Sequence, residues 1–312
     1  MDIKEYGEAI AKEFSTRNSG LTVECQDINK NNNVKLHGMV IRNDSNIAPT
    51  IYIDNLYNNN LSVHKAVEQI EALYNEHKND FCGNNAFNFD DLFKFDAIKD
   101  SIVLRVVNKD MNKTHMEHCP YIEFGDLIVM FHIILDNIND GSIVSVRVTN
   151  SFIDKWNTDV NALYKIAMEN TKKRFPLKFD SVTNVIMSML ESAGKLTDES
   201  KHVLRMQENP LYIITTDNGR YGSYFITDKE TLLNVTNELN ENEIVILPSS
   251  LHELLVIPSK LVESIDSVKD LVHTVNYSDV GPEDVLSDNV YIFNKNSEEL
   301  KMADGTSISF IA

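Results

Sequence analysis

The chain is predicted to fold as α+β, with mixed and largely antiparallel sheets, helices packed on one face, and two subdomains. Three observations predict it. Short segments of alternating or continuous apolar character recur along the chain, as half-buried and fully buried strands should. Several are joined by tight Asn, Asp and Gly turns rather than long crossovers. Helical periodicity falls between hairpins instead of after every strand, which argues against a doubly wound parallel sheet. With 312 residues, 42% of them hydrophobic and 24% charged, there is enough apolar surface to bury a core.

In order, Ile3, Tyr6, Ile10 and Phe14 recur at helical spacing. Leu21–Cys25 alternates as a strand, the Asn-rich turn at 29–33 follows, and Val34–Ile41 returns as the second arm of a hairpin. A third strand enters through Pro49 and runs to Asp54, and Ser62 caps a helix carrying Val63, Val67, Ile70, Leu73 and Tyr74. Residues 79–96 mix Asn, Asp and Phe as a loop would. Strands are expected at Ile102–Val107, Asp126–Leu135 and Ile143–Thr149, the last two joined by Asn139-Asp140-Gly141. A helix at Val160–Thr171 stops before Pro176. Beyond Gly194–Asp198, strands at Leu211–Thr215 and Ser223–Ile226 flank the Asn218-Gly219 turn. A helix at Lys229–Leu239, strands at Ile244–Leu247 and Leu254–Ile257, a helix at Ser267–Val275 and a strand at Val290–Phe293 complete the pattern. The shifts in composition divide the chain into 1–98 (helix, hairpin and helix), 99–194 (β-rich with a helix) and 195–312 (α/β). Segments 126–171 and 211–239 share the order strand, turn, strand, helix.

Charge narrows the partners. Lys and Arg number 29 against 47 Asp and Glu, a net charge of −18, so neither direct nucleic-acid binding nor an anionic membrane surface is expected. The longest apolar run, Leu127–Leu135, is nine residues with His132 inside it, too short to span a bilayer as a helix. Cys25, Cys82 and Cys119 form no framework of close pairs. The amino-terminal residues open an acidic amphipathic pattern with no secretory signature, and the reading places the protein in the cytoplasm.

Five segments carry a resemblance: Val34-Lys35-Leu36-His37-Gly38, Pro49-Thr50-Ile51-Tyr52-Ile53-Asp54, Arg105-Val106-Val107-Asn108, Leu247-Pro248-Ser249-Ser250-Leu251-His252-Glu253 and Val285-Leu286-Ser287-Asp288-Asn289-Val290-Tyr291. In this order, across about 20–295, they resemble the DUF5688 family of Clostridia and related gut Firmicutes. The strand-rich second half is distantly similar to the DUF1444 family. The resemblance implies a cytoplasmic bacterial protein, often encoded near mobile elements, and brings no catalytic residues with it.

Several clusters could carry chemistry. His115-Met116-Glu117-His118-Cys119-Pro120, with Glu123 nearby, gathers metal-ligand types, but tetrahedral zinc needs a second ligand pair that no other motif supplies. The zinc-deaminase arrangement needs Pro-Cys-x-x-Cys, whereas the order here is Cys119-Pro120. A polar turn is the expected reading, and neither metal nor cofactor is assigned. Ser249, Ser250, His252 and Glu253 offer hydroxyl, imidazole and carboxylate, yet neighbours on a strand point to opposite faces. A hairpin whose His252 hydrogen-bonds an adjoining loop competes with a hydrolase site. Arg105 and Asn108 interrupt an apolar strand; Arg105 is expected either to pair with Asp126 or Asp136 or to grip an anionic ligand. His37 and Asp54 could share a cleft, and Gly219 and Gly222 read as turn chemistry without a phosphate loop. The candidate ligand-binding set is therefore His37, Asp54, Arg105, Asn108, His252 and Glu253. The balance of these readings favours a noncatalytic binding module with a protein or small-molecule partner. A hydrolase using His252 or a metal at His115 and His118 stands second, and an acidic inhibitor of DNA-handling or defence proteins third.

Overall fold

Asp2 opens the first helix with a reciprocal cap: its carboxylate accepts from the Glu5 backbone N–H at 2.9 Å, and the Glu5 carboxylate accepts from the Asp2 N–H at 3.0 Å. The computed structural model describes residues 1–42, 48–77, 89–137, 143–206 and 210–311, with the side chains of 77, 89, 136 and 137 excepted. The chain divides into two compact units, Met1–Asn88 and Phe89–Ala312. The fold is α+β, and every described strand pairing is antiparallel.

The first unit runs α1 (Ile3–Arg17), β1 (Thr22–Asn29), β2 (Lys35–Arg42), β3 (Thr50–Tyr52), α2 (Asp54–Asn58) and α3 (Val63–His77). Its strands form one sheet in that order, with Asp27 opposite His37 and Gly38 opposite Tyr52. Tyr6, Ile10 and Phe14 of α1 meet Ala66, Val67 and Ile70 of α3 and Met39 and Ile41 of β2 in a closed core. The apolar stripe read at positions 3, 6, 10 and 14 is thus the face that packs. Tyr6 is buried but donates its hydroxyl to the Leu61 carbonyl at 2.9 Å, which satisfies its polar end.

The second unit begins with α4 (Phe95–Ile98), β4 (Ile102–Asn108), α5 (Lys113–Met116), β5 (Tyr121–Phe124), β6 (Leu127–Asn137), β7 (Ile143–Arg147), α6 (Asn150–Trp156) and α7 (Val160–Arg174). It continues with β8 (Leu177–Ser181), α8 (Val182–Ser192), α9 (Asp198–Met206), β9 (Tyr212–Thr216), α10 (Lys229–Glu238), β10 (Glu243–Ser250), β11 (Glu253–Pro258), α11 (Ile265–Ser278), β12 (Tyr291–Asn294), β13 (Glu299–Met302) and β14 (Ser307–Ile308). One sheet places β6 at its centre, with β4 along one side and β5 and β7 along the other. A seven-stranded sheet follows the order β14-β13-β12-β10-β11-β9-β8, so strands on both sides of residues 194–198 share it. Residues 127–134 of β6 are all buried, which explains why the longest apolar run lacks alternation. The turn expected at Asn139-Asp140-Gly141 lies outside the described residues.

Helix α7 seals the open side of β4. Thr171 accepts from the Leu104 N–H at 2.8 Å and donates to the Ala167 carbonyl at 2.6 Å, while Asn170 donates to the carbonyls of Lys99 and Ile102. Replacing Thr171 by Val keeps the shape but strands a buried strand N–H. The expected cost is about 2 kcal/mol, read as a lower urea midpoint, with faster exchange of the Leu104 amide.

One expected strand is absent. Residues 222–227 form a 3₁₀ helix, all six buried, instead of the strand expected at Ser223–Ile226. The cause lies just before it: Gly219 (φ 67°) and Tyr221 (φ 61°) both take left-handed conformations. The chain then docks end-on against another turn, with Gly222 N–H donating to the His252 carbonyl at 3.0 Å and Ser223 N–H to the Leu251 carbonyl at 3.2 Å. Buried apolar residues without clear alternation fit either geometry, so composition could not separate them. Segment 211–239 therefore runs strand, 3₁₀ helix, helix, unlike 126–171.

Candidate functional site

In the first unit, His37 sits between carboxylates. Its Nδ1 lies 2.9 Å from Asp54 Oδ1, its backbone N–H donates to Asp54 Oδ2 at 2.8 Å, and Nε2 is 3.8 Å from Asp27 Oδ1. Asp54 is the first residue of α2, and the His37 carbonyl accepts from the Ile53 N–H at 3.0 Å. The pair therefore clips the start of α2 onto β2. His37 and Asp54 belong to this unit; Arg105, Asn108, His252 and Glu253 belong to the second.

In the second unit, Tyr221 joins two of the expected residues. The Arg105 guanidinium carbon lies 4.1 Å from the centre of the Tyr221 ring, and Nη2 donates to the Tyr221 hydroxyl at 2.8 Å. Across from it, the Tyr221 and His252 rings are 5.7 Å apart. The Tyr221 backbone N–H donates to His252 Nδ1 at 3.2 Å, which puts the imidazole proton on Nε2, 3.4 Å from Asp284 Oδ1. Both ring nitrogens are thus engaged. The nearby hydroxyls are engaged as well: Ser250 Oγ accepts the His252 backbone N–H at 3.0 Å, and Ser249 donates to Glu253 at 3.3 Å. Asn108 sits on the other face of β4 from Arg105, three residues along, and donates to the Leu286 carbonyl at 3.0 Å.

The carboxylate expected for Arg105 goes elsewhere. Asp126 accepts from Ser287, Asn289 and Tyr291, because it lies just before β6 whereas Arg105 pairs with Met130, further along that strand. The Asp136 side chain lies outside the described residues. The partners of Arg105 are instead Tyr221 and Ser145, the latter at 2.9 Å. Burial holds its pKa below the ordinary arginine value, offset in part by Tyr221.

A cationic group surrounds it. In the ladder, Val103 faces His132 and His132 faces Arg147, and Arg105 lies two residues from Val103, so Arg105, His132 and Arg147 share one sheet face. Arg147 Nη1 is 2.6 Å from His115 Nδ1. Burial first, then Arg105, Arg147 and His115, push the His132 pKa well below its usual value, which keeps the ring neutral near pH 7. Arg105 Nε, Arg147 Nε and His132 Nδ1 are buried without a hydrogen-bond partner among the described residues. Neither guanidinium lies within ion-pair distance of a described carboxylate. Desolvating an unmatched charge costs several kcal/mol, so native folds rarely leave one without a reason.

Within the His115–Cys119 segment, His115 is the residue that reaches this face. His115 is buried beside Arg147, Cys119 is buried, and His118 is exposed. Among the described residues, no group of three or more His, Cys, Asp and Glu side chains could hold a metal ion. A cation placed at His115 would also meet the Arg147 charge. Sequence reading missed Tyr221, Ser145 and Arg147; His132 was visible as a polar residue in an apolar run.

The family model described as a family of unknown function, DUF5688, matches residues 3–295, and the chain belongs to that family. No curated protein and no solved structure matches it. Among the described residues no helix is long and apolar enough to cross a membrane.

Proposed function

We propose that this member of DUF5688 is a noncatalytic binding protein of the bacterial cytoplasm, and that its ligand is a small molecule seated at the Arg105–Tyr221–His252 cluster. The observation that carries the reading is the state of His252. An imidazole that accepts from a backbone N–H and faces a carboxylate has no nitrogen left to deprotonate Ser249 or Ser250, which hydrogen-bond elsewhere. The cluster supplies donors, an aromatic face and a half-buried guanidinium, the components of recognition rather than of nucleophilic attack. Cys25 and Cys119 are free thiols whose pKa values burial raises, which suits a reducing compartment.

The test is a thermal-shift panel of small metabolites run beside ester and phosphoester hydrolysis assays. The expected result is saturable stabilisation by at least one compound, weakened in Tyr221→Ala, with no turnover above blank. Turnover abolished by His252→Ala would replace this reading with the hydrolase.

A further inference from the structure

The part of the sheet face bearing Arg105, His132 and Arg147 holds two guanidinium groups and no described carboxylate in a chain whose net charge is −18, since Glu123, further along the same face, is paired with Lys109. Carboxylates are plentiful elsewhere: Lys109 and Lys229 each have one, and Lys172 and Arg17 each have two. Here they are replaced by neutral groups. Arg105 Nη2 reaches Ser145, which lies opposite Ile134 on β6, although Arg105 itself lies opposite Met130. The side chain therefore crosses the position of His132 between them. Arg147 comes to His132 from the other side as its direct cross-strand neighbour. Three unpartnered nitrogens, Arg105 Nε, Arg147 Nε and His132 Nδ1, thus come from three adjacent strands. His132 is only 7% exposed and both arginines are partly buried, so the face has a buried floor walled by two guanidinium groups.

We infer that this face binds a tetrahedral oxyanion, a phosphate group either free or carried by a small metabolite. The inference rests on the binding reading above and names its ligand chemistry. Donors arriving from separate strands suit a tetrahedral ion with acceptors in several directions; a planar carboxylate is better matched by the two parallel N–H bonds of one arginine. An anion here also supplies the counter-charge that the described residues do not, and it favours protonation of His132, whose ring burial, helped by the two arginines, otherwise keeps neutral. The overall acidity opposes tracking along a nucleic-acid backbone, but it does not oppose a single phosphate in a local positive field.

The experiment titrates the full chain with inorganic phosphate, phenyl phosphate or acetate at constant ionic strength, by calorimetry and thermal shift. Phosphate, phenyl phosphate or both are expected to bind saturably, and acetate is not. Binding of free phosphate alone identifies the ion as ligand, whereas binding of phenyl phosphate as well identifies the phosphoryl group of a metabolite. Arg105→Met and Arg147→Met should each weaken binding at least tenfold, while Lys113→Met, at an exposed lysine paired with Asp110, should bind as wild type. In phosphate-free buffer Arg147→Met should melt no lower than wild type, since it removes a charge from a like-charged group. Should that variant fold poorly, phenylglyoxal labelling of the wild type gives the same answer: phosphate or phenyl phosphate, whichever binds, should protect Arg147. Absence of saturable binding of both phosphate and phenyl phosphate, unchanged affinity in both arginine variants, or labelling indifferent to whichever of the two binds overturns the inference. Acetate binding that depends on Arg105 would overturn it too, while leaving the binding reading in place; esterase or phosphatase turnover would remove that reading instead.

Discussion

Gly222→Ala should lower stability by about 3 kcal/mol, the upper end of what overpacking costs. A Cβ at this position would stand 2.5 Å from the His252 carbonyl oxygen and 2.8 Å from Thr215 Cα. Both are backbone atoms, so no flexible side chain can swing aside. The 3₁₀ helix would have to withdraw from the β10–β11 turn, stretching the Gly222 N–H bond to the His252 carbonyl and parting Tyr221 from the His252 ring. Gly219→Ala is the control. A Cβ there meets nothing within 4 Å, so only the left-handed backbone (φ 67°) is penalised, at about 1 kcal/mol. Urea unfolding that shows a lower midpoint at unchanged slope for Gly222→Ala, and a smaller shift for Gly219→Ala, checks the pair. Wild-type stability for Gly222→Ala would mean that the 3₁₀ helix does not abut the hairpin tip.

Asp126→Ala is expected to cost on the order of 4 kcal/mol, since each buried donor left without an acceptor costs about 1–3 kcal/mol. Ser287 and Tyr291 are fully buried and both donate their hydroxyls to the Asp126 carboxylate, with Asn289 Nδ2 donating at 2.8 Å. This carboxylate just before β6 ties the four-stranded sheet to the segment leading into β12. Tyr291→Phe removes one donor without stranding the others and should cost about 1 kcal/mol. In the double variant Asp126→Ala/Tyr291→Phe the losses should fall short of additivity, because the phenylalanine no longer needs an acceptor. A denaturant double-mutant cycle reads this directly; strict additivity would mean that the two groups do not interact.

Much of the fold was legible because its elements bury one side. The stripe on α1, the β1–β2 hairpin and the apolar β6 announce themselves by period. Helix α8 buries no residue, so it has no buried stripe to reveal it, and β13 and β14 are only four and two residues long. The cluster was harder to see. Arg105 and His252 drew notice as polar residues in strand-like runs, but the side chain that joins them, Tyr221, is 116 residues from Arg105. It lies in a segment that reads as an ordinary turn. Arg147 alternates with Val146 and Val148, which is how a solvated strand face also reads. The expectation that Arg105 pairs with Asp126 failed because residue types do not reveal ladder register, and the register places Met130 opposite it.

The seven-stranded sheet ends differently at its two margins. At one, β14 offers only two residues; at the other, β8 carries exposed Lys178, and its last residue, Ser181, caps α8 by accepting from the Asn184 N–H. A margin so short, and another that is charged and turns at once into a helix, give a foreign chain little ladder to extend. The seven-stranded sheet can thus hold its strands together without leaving, at either end, a long bare ladder for an added strand to join.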